Sequence, residues 1–204
     1  DAVMDDIGAD AVKTGMLVSA PIIEAVADRL AHWDVRNLVV DPVMVAKGGD
    51  RLLHLEAVEA LKTKLLPRAL IVTPNLPEAE VLVGHPLSTW DEIREAAREI
   101  HALGAANVVM KGGHRDEDTV TDLLFDGNDF RVLATGRVDT TSTHGTGCTF
   151  ASALAATLAK GESVRDAFAA AKAYVTKALQ EAYPIGHGHG PVHHFYRYWR
   201  PVGD

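Results

Sequence analysis

The sequence predicts an α/β fold, with helices on both faces of a mostly parallel central sheet and an antiparallel hairpin late in the chain. The first observation is a set of short, continuously apolar runs: Asn37-Leu-Val-Val-Asp41, Ala69-Leu-Ile-Val-Thr73 and Asn107-Val-Val-Met-Lys111. Strands buried on both faces read as unbroken apolar runs, whereas strands with one wet face alternate. The second observation is that longer helical patterns separate these runs, the order that builds a covered parallel sheet. The third is a pair of β-rich segments, residues 119–125 and 130–133, joined across Asp126-Gly127-Asn128, a hairpin signal. At 204 residues, 47% hydrophobic and 24% charged, the chain suits one domain over residues 1–204 with a substantial core.

Taken in order, residues 11–14 are a first short strand. Ser19-Ala-Pro21 starts a helix with proline in its first turn, and residues 22–33 carry an apolar stripe with Glu24, Asp28 and Arg29 outward. The strand at 37–41 follows and ends in an acid. Residues 55–65 are helical, and the strand at 69–73 leads through Pro74 and Pro77 into a short helix over 78–83. An amphipathic helix spans 90–103 and stops at Gly104; the strand at 107–111 stops at Gly112-Gly113. After the hairpin, Phe150-Ala-Ser-Ala-Leu-Ala-Ala-Thr-Leu-Ala-Lys160 is a helix ended by Gly161, and residues 163–183 form another, capped by Ser163.

Composition excludes several classes. A net charge of −8 without clustered Lys and Arg excludes a nucleic-acid binder. No apolar stretch spans a bilayer, so no membrane role is expected, and no basic-start leader is visible. One cysteine, Cys148, makes no internal disulfide and suits a reducing cytoplasm. The chain opens on Asp1 rather than Met, so its natural start is expected upstream.

The chemistry concentrates at Thr143-His-Gly-Thr-Gly-Cys-Thr149, immediately ahead of a helix. A Gly-Thr-Gly turn opening a helix aims backbone N–H groups at one point with the positive end of the dipole behind them, which suits a phosphate or an oxyanion. The same field would lower the pKa of the Cys148 thiol. An anion hole beside an activated thiol points to phosphoryl transfer; the bland alternatives are a turn that only reverses the chain and an inert core cysteine. Cys148 and His144 lack a usual metal-ligand spacing. In open parallel sheets ligands bind beyond the carboxyl ends of the strands. Here those ends carry Gly15-Met16, Asp41-Pro-Val-Met44, Thr73-Pro-Asn75 and Lys111-Gly-Gly-His114.

These motifs, in order with Lys13-Thr-Gly-Met16, Ala46-Lys47, Thr73-Pro-Asn-Leu-Pro-Glu-Ala79 and Gly190-Pro-Val-His-His194, closely resemble the bacterial hydroxymethylpyrimidine/phosphomethylpyrimidine kinases of thiamine biosynthesis. The resemblance runs to about Trp199 and implies a ribokinase-like three-layer α/β/α fold. It implies ATP-dependent phosphorylation of 4-amino-5-hydroxymethyl-2-methylpyrimidine and then of its monophosphate, with Mg2+, in a homodimer. By position, Gly145, Thr146 and Gly147 match the anion hole, and Cys148 stands where most ribokinase-like enzymes place an aspartate base. Asn75 and Glu78 match an element that orders magnesium and phosphates through water, with Asp41 on the metal side. Lys111 and Thr143 fall on the nucleotide-phosphate side, Met16 and Val43 on the pyrimidine face. Each has a structural alternative: Glu78 as a first-turn acid, Lys111 as a solubilising edge lysine, Met16 and Val43 as core. His187, His189, His193 and His194 resemble a structural tail and carry no cysteine or carboxylate that would complete a zinc site.

One departure stands out. Family members begin with a glycine-rich strand and further elements, on the order of 60 residues or two βαβ units, that supply much of the pyrimidine pocket. Their counterpart is expected to be missing here, which would bare an apolar sheet edge. Two further readings stay open: a pyridoxal kinase of the same superfamily, and a non-catalytic remnant that binds only nucleotide.

Overall fold

The computed structural model describes residues 1–44, 54–113 and 118–199. Ala46, Lys47 and His114 lie outside the described residues. The element order is α1 (Ala2–Asp6), β1 (Val12–Thr14), α2 (Ala20–His32), β2 (Leu38–Val40), α3 (Leu55–Ala60), β3 (Ile71–Val72), α4 (Leu76–Val83), α5 (Trp90–Ala102), β4 (Val108–Met110), β5 (Thr119–Phe125), β6 (Phe130–Gly136), α6 (Thr146–Leu158) and α7 (Val164–Gln180).

The six strands form one sheet in sequence order. β1 to β4 pair in parallel, and β5 and β6 add antiparallel, with Val109 opposite Leu124 and Phe125 opposite Phe130. Because successive side chains point to opposite faces, each apolar run feeds both sides. Leu38, Val40, Val72, Val108, Met110 and Leu123 pack with α2 to α5 in one hydrophobic cluster. Val39, Ile71, Val109 and Leu124 pack with Phe150, Leu154, Phe168 and Val175 of α6 and α7 in another. This is the three-layer α/β/α arrangement, and it explains why the strands are apolar without alternation.

Helix starts follow the expected chemistry. Thr89 and Glu92 form a capping box at α5, and the Ser163 hydroxyl accepts from the Asp166 N–H at α7, which satisfies donors that have no partner in the first turn. Within the hairpin turn, Asp126 accepts from the backbone N–H groups of Asn128 and Asp129 and from Arg165 of α7 at 2.7 Å. The Arg165 hydrogen bond is the largest reason its carboxyl is held down to about 2.

Two local expectations differ, and one element had none. α1 was not legible: it buries no residue, so it leaves no apolar stripe, and Asp1 beside it accepts from the Trp33 indole at 2.9 Å. The helix read over 55–65 is α-helical only to Ala60, widens into a π-turn over Leu61–Leu65 and tightens into a 3-10 turn over Leu66–Arg68. Leu61, Leu65 and Leu66 are all buried, so the change of pitch keeps them inward while Pro67, which cannot donate a helix hydrogen bond, ends the segment. β6 continues to Gly136 because Thr135 and Ala134 pair with Val120 and Thr121.

Candidate active site

The sheet ladder runs one residue past the strands and so aligns the residues that follow them. Asp41 N–H donates to the Thr14 carbonyl at 3.1 Å, Thr73 N–H to Val40 at 2.9 Å, and Lys111 N–H to Pro74 at 2.8 Å. Asp41, Thr73, Asn75 and Lys111 therefore stand side by side at the carboxyl edge. Lys111 is the hub. Its ammonium donates to Asp41 Oδ1 at 2.7 Å and lies 4.0 Å from Glu78 Oε2. Thr73 Oγ1 also donates to Asp41 Oδ1 at 3.2 Å, and the Lys13 ammonium lies 3.7 Å from Asp41 Oδ2. Asp41 is 1% exposed and Glu78 3%, and Asp41 Oδ2 is a buried oxygen with no hydrogen-bond partner among the described residues.

Charge follows from burial. Desolvation pushes Glu78 up to about 7, and the nearby Lys111 cation offsets this only in part. Burial alone would lower Lys111, but Asp41 first and Glu78 second outweigh it, so Lys111 stays charged with its pKa raised. One lysine thus serves two carboxylates, and the farther one, Glu78, is the undercompensated member.

Asn75 and Glu78 are also a capping box at α4. Glu78 N–H donates to Asn75 Oδ1 and Asn75 N–H to Glu78 Oε2, each at 2.9 Å. Glu78 is thus a helix-start acid whose carboxylate is buried beside Lys111. Its folded-state value of about 7 lies above the ordinary glutamate value of 4.5, so between the two the native state holds a proton that the unfolded chain has released. That stabilisation is present at acid pH and is lost as pH rises through about 7. Glu78→Gln keeps the capping geometry without the charge. Relative to wild type, the variant should gain on the order of 1–3 kcal/mol between pH 5.5 and pH 8. Thermal melts at the two pH values check this; a gap that does not change with pH would remove Glu78 as a buried titrating group.

Across from this cluster stands the start of α6. Gly145 is its N-cap, at φ 79°, ψ 5°, a left-handed conformation that favours glycine. The Thr146 hydroxyl donates to the Thr143 carbonyl at 2.7 Å and closes the turn. The first N–H to bond within the helix is that of Thr149, to Gly145 at 2.8 Å, so those of Thr146, Gly147 and Cys148 have no intrahelical partner. Gly147 differs from its neighbour. Its backbone is not left-handed, but a Cβ there would meet the Lys111 ammonium at 3.1 Å. The two glycines thus differ in role: Gly145 carries the unusual backbone and Gly147 a close approach, to Lys111. Cys148 is exposed and opens onto a groove of about 1020 Å³ that runs along α6 towards Tyr174 and Arg197.

The turn is braced from behind. His144 N–H donates to Gly190 at 2.9 Å, and His193 N–H to Ala178 at 3.0 Å. The His193 ring is hydrogen-bonded to the Trp199 carbonyl at 2.8 Å and packs edge-on against Tyr183 and Trp199. The Gly-Pro-Val-His-His tail holds structure, and among the described residues no group of three His, Cys, Asp or Glu side chains could hold a metal ion.

The structure thus brings together Asp41, Asn75, Glu78, Lys111 and Gly147, with Gly145, Thr146 and Cys148 on the facing helix start and Thr143 half-buried in the turn before it. Met16 is 54% exposed and Val43 half-buried; Met16 follows β1 and Val43 follows β2. With 11% side-chain exposure, Lys111 is no solubilising edge lysine. Sequence reading assigned no role to Lys13 or Thr73. A lysine inside an apolar strand and a threonine ending one were the available signals.

Fold and site together define a ribokinase-like phosphotransferase. The sequence model for the family described as phosphomethylpyrimidine kinase matches residues 1–193, and this chain belongs to that family. It is 53% identical over 194 residues to the thiamine biosynthesis bifunctional protein ThiED of Geobacter sulfurreducens, covering 95% of this chain but 40% of that protein. It is 48% identical over 196 residues to the hydroxymethylpyrimidine/phosphomethylpyrimidine kinase of Bacillus subtilis, covering 96% of this chain and 72% of that one. Among solved structures, an ADP complex of Bacillus subtilis pyridoxal kinase superposes with a TM-score of 0.89 at 44% identity, covering 96% of this chain and 74% of that one. No helix among the described residues is long and apolar enough to cross a membrane.

Proposed function

We propose that this chain transfers the terminal phosphoryl group of ATP to the hydroxymethyl oxygen of 4-amino-5-hydroxymethyl-2-methylpyrimidine, and then to the phosphate of the product. The observation that carries this is the α6 start facing Lys111, with Gly147 close enough that a Cβ would stand 3.1 Å from the ammonium. A phosphoryl group held between them meets backbone N–H donors on one side and a fixed cation on the other. Preorganised donors aimed at developing charge are the main source of rate in phosphoryl transfer.

In the first reaction Cys148 Sγ takes the proton from the acceptor hydroxyl as its oxygen attacks phosphorus and the bond to ADP breaks. In the second, the attacking oxygen belongs to a phosphate and brings no proton that must be removed. Lys111 holds the nucleotide phosphates, with Asn75 and Thr143 on that side, and the 2.7 Å contact with Asp41 fixes where its charge lies. Met16 and Val43 form the apolar wall against the pyrimidine ring. The donor set fits magnesium: Asp41 Oδ2 is a buried oxygen with no hydrogen bond among the described residues, and Mg2+ takes one or two carboxylates together with waters and substrate phosphates. Asp41 and Glu78 would hold the ion, which when bound neutralises phosphate charge. Glu78→Gln should raise the magnesium concentration for half-maximal rate by about tenfold; an unchanged titration would return Glu78 to capping alone. We place the enzyme in the cytoplasm as a homodimer.

The test is a coupled assay that offers the pyrimidine, its monophosphate and pyridoxal in parallel, beside calorimetry with ATP and Mg2+. Turnover of both pyrimidines with kcat/KM above that for pyridoxal supports the reading. Pyridoxal preferred would favour the kinase that the ADP-bound relative represents. ATP binding without turnover of any acceptor would make the chain a nucleotide-binding remnant.

A further inference from the structure

Behind the loop that carries Lys111 lies a second buried ion pair outside the site described above. Asp122 of β5 is 5% exposed and Lys172 of α7 is 6% exposed. Their charged groups meet at 2.9 Å, and Lys172 also donates to the Val120 carbonyl at 3.0 Å. The other Asp122 oxygen accepts the Gly112 N–H at 2.6 Å. Gly112 itself lies against β5 so closely that a Cβ would sit 2.2 Å from the Thr121 carbonyl oxygen. Two buried charges cost desolvation that a well-packed apolar pair avoids, so such a pair is weak support for stability as such. What it does here is hold one specific amide, the one directly after Lys111.

We infer that Asp122 and Lys172 are positioning residues for the nucleotide-binding lysine. By fixing the Gly112 amide as the chain leaves β4, Asp122 sets where Lys111 projects, and Lys172 holds the Asp122 carboxylate in the orientation that accepts that amide. Gly112 is glycine because the loop must lie on the β5 backbone for this hydrogen bond to form. The inference rests on the reading of Lys111 as a nucleotide-phosphate contact.

The test compares two double variants of the whole chain. Asp122→Leu/Lys172→Met removes the charges and the acceptor; Asp122→Asn/Lys172→Met removes the charges but leaves an oxygen for Gly112. The Leu/Met variant should melt within about 5 °C of wild type yet bind ATP·Mg2+ at least tenfold more weakly, whereas the Asn/Met variant should stay within about threefold. Wild-type affinity in Leu/Met, or equal loss in both, overturns the inference. Should Leu/Met not fold, Asp122→Ala/Lys172→Met asks the same question with less bulk. Amide exchange on wild type gives a readout that needs no variant: Gly112 N–H should be protected, and exchange as fast as an open loop would also overturn it. Lys111→Ala separates the two levels. If it weakens ATP binding and Leu/Met does not, only the positioning role falls; if it leaves ATP binding unchanged, the nucleotide role of Lys111 falls and the inference with it.

Discussion

Gly147→Val should abolish phosphoryl transfer, with turnover down by about 10³-fold or more, while the protein stays folded. The added Cβ would stand 3.1 Å from the Lys111 ammonium, so that lysine must give way, and valine adds two methyls beyond it. Lys111 would then leave its 2.7 Å contact with Asp41. Loss of a single preorganised donor costs about 10²–10³ in turnover, and here the helix-start donors and the lysine are displaced together. Because Gly147 is not in the left-handed region, valine does not strain the backbone, and it lies in the first turn of α6 on the rim. Circular dichroism and a melt should therefore look close to wild type. Substantial residual turnover would mean that the phosphoryl group does not pass between Gly147 and Lys111; a melted variant would make the glycine a packing residue.

Cys148→Ala should lower turnover in the first reaction by about 10²–10⁴-fold, the range for loss of a positioned general base, with ATP affinity nearly unchanged. The thiol is exposed at the start of α6, so removing its sulfur leaves no cavity and costs little stability. The second reaction is an internal control. Its nucleophile is a phosphate oxygen that needs no deprotonation, so the monophosphate should lose less than the alcohol. Equal losses for both acceptors would assign Cys148 to charge or shape rather than to proton transfer, and undiminished turnover of both would take it out of the mechanism.

What could be read in advance and what could not divide along a physical line. Val39, Ile71 and Val109 announced buried strands because a strand covered on both faces cannot afford polar residues, and this is a local property of three to five letters. Gly145 to Cys148 announced a helix start with unpaired N–H groups because helix ends leave such groups free whatever surrounds them. The pairings were not legible. Lys111 and Asp41 are 70 positions apart; a parallel sheet puts both on one rim, but nothing in either neighbourhood states that their charged groups meet. The Asp122–Lys172 pair was hidden for the same reason. A lysine on the apolar stripe of α7 was its only sign, and snorkelling explains such lysines equally well. α1 failed in the opposite way, as a helix with no buried face to write a pattern.

The division of the core into two clusters has a further consequence. Asp41, Glu78 and Lys111 hang from strand ends and from α4, whereas Gly145, Thr146 and Cys148 ride on the α6–α7 layer, whose apolar contacts form a cluster of their own. Elements that share a cluster tend to open together as one cooperative unit. A nucleotide touching both sides then acts as a rivet through a seam. Part of its binding free energy reappears as resistance of that layer to peeling away, and anything that loosens the layer is felt as weaker binding. If a nucleotide bridges the two sides, affinity for the phosphate chain and cohesion of the two halves of the core share one coupling free energy, felt equally from either end.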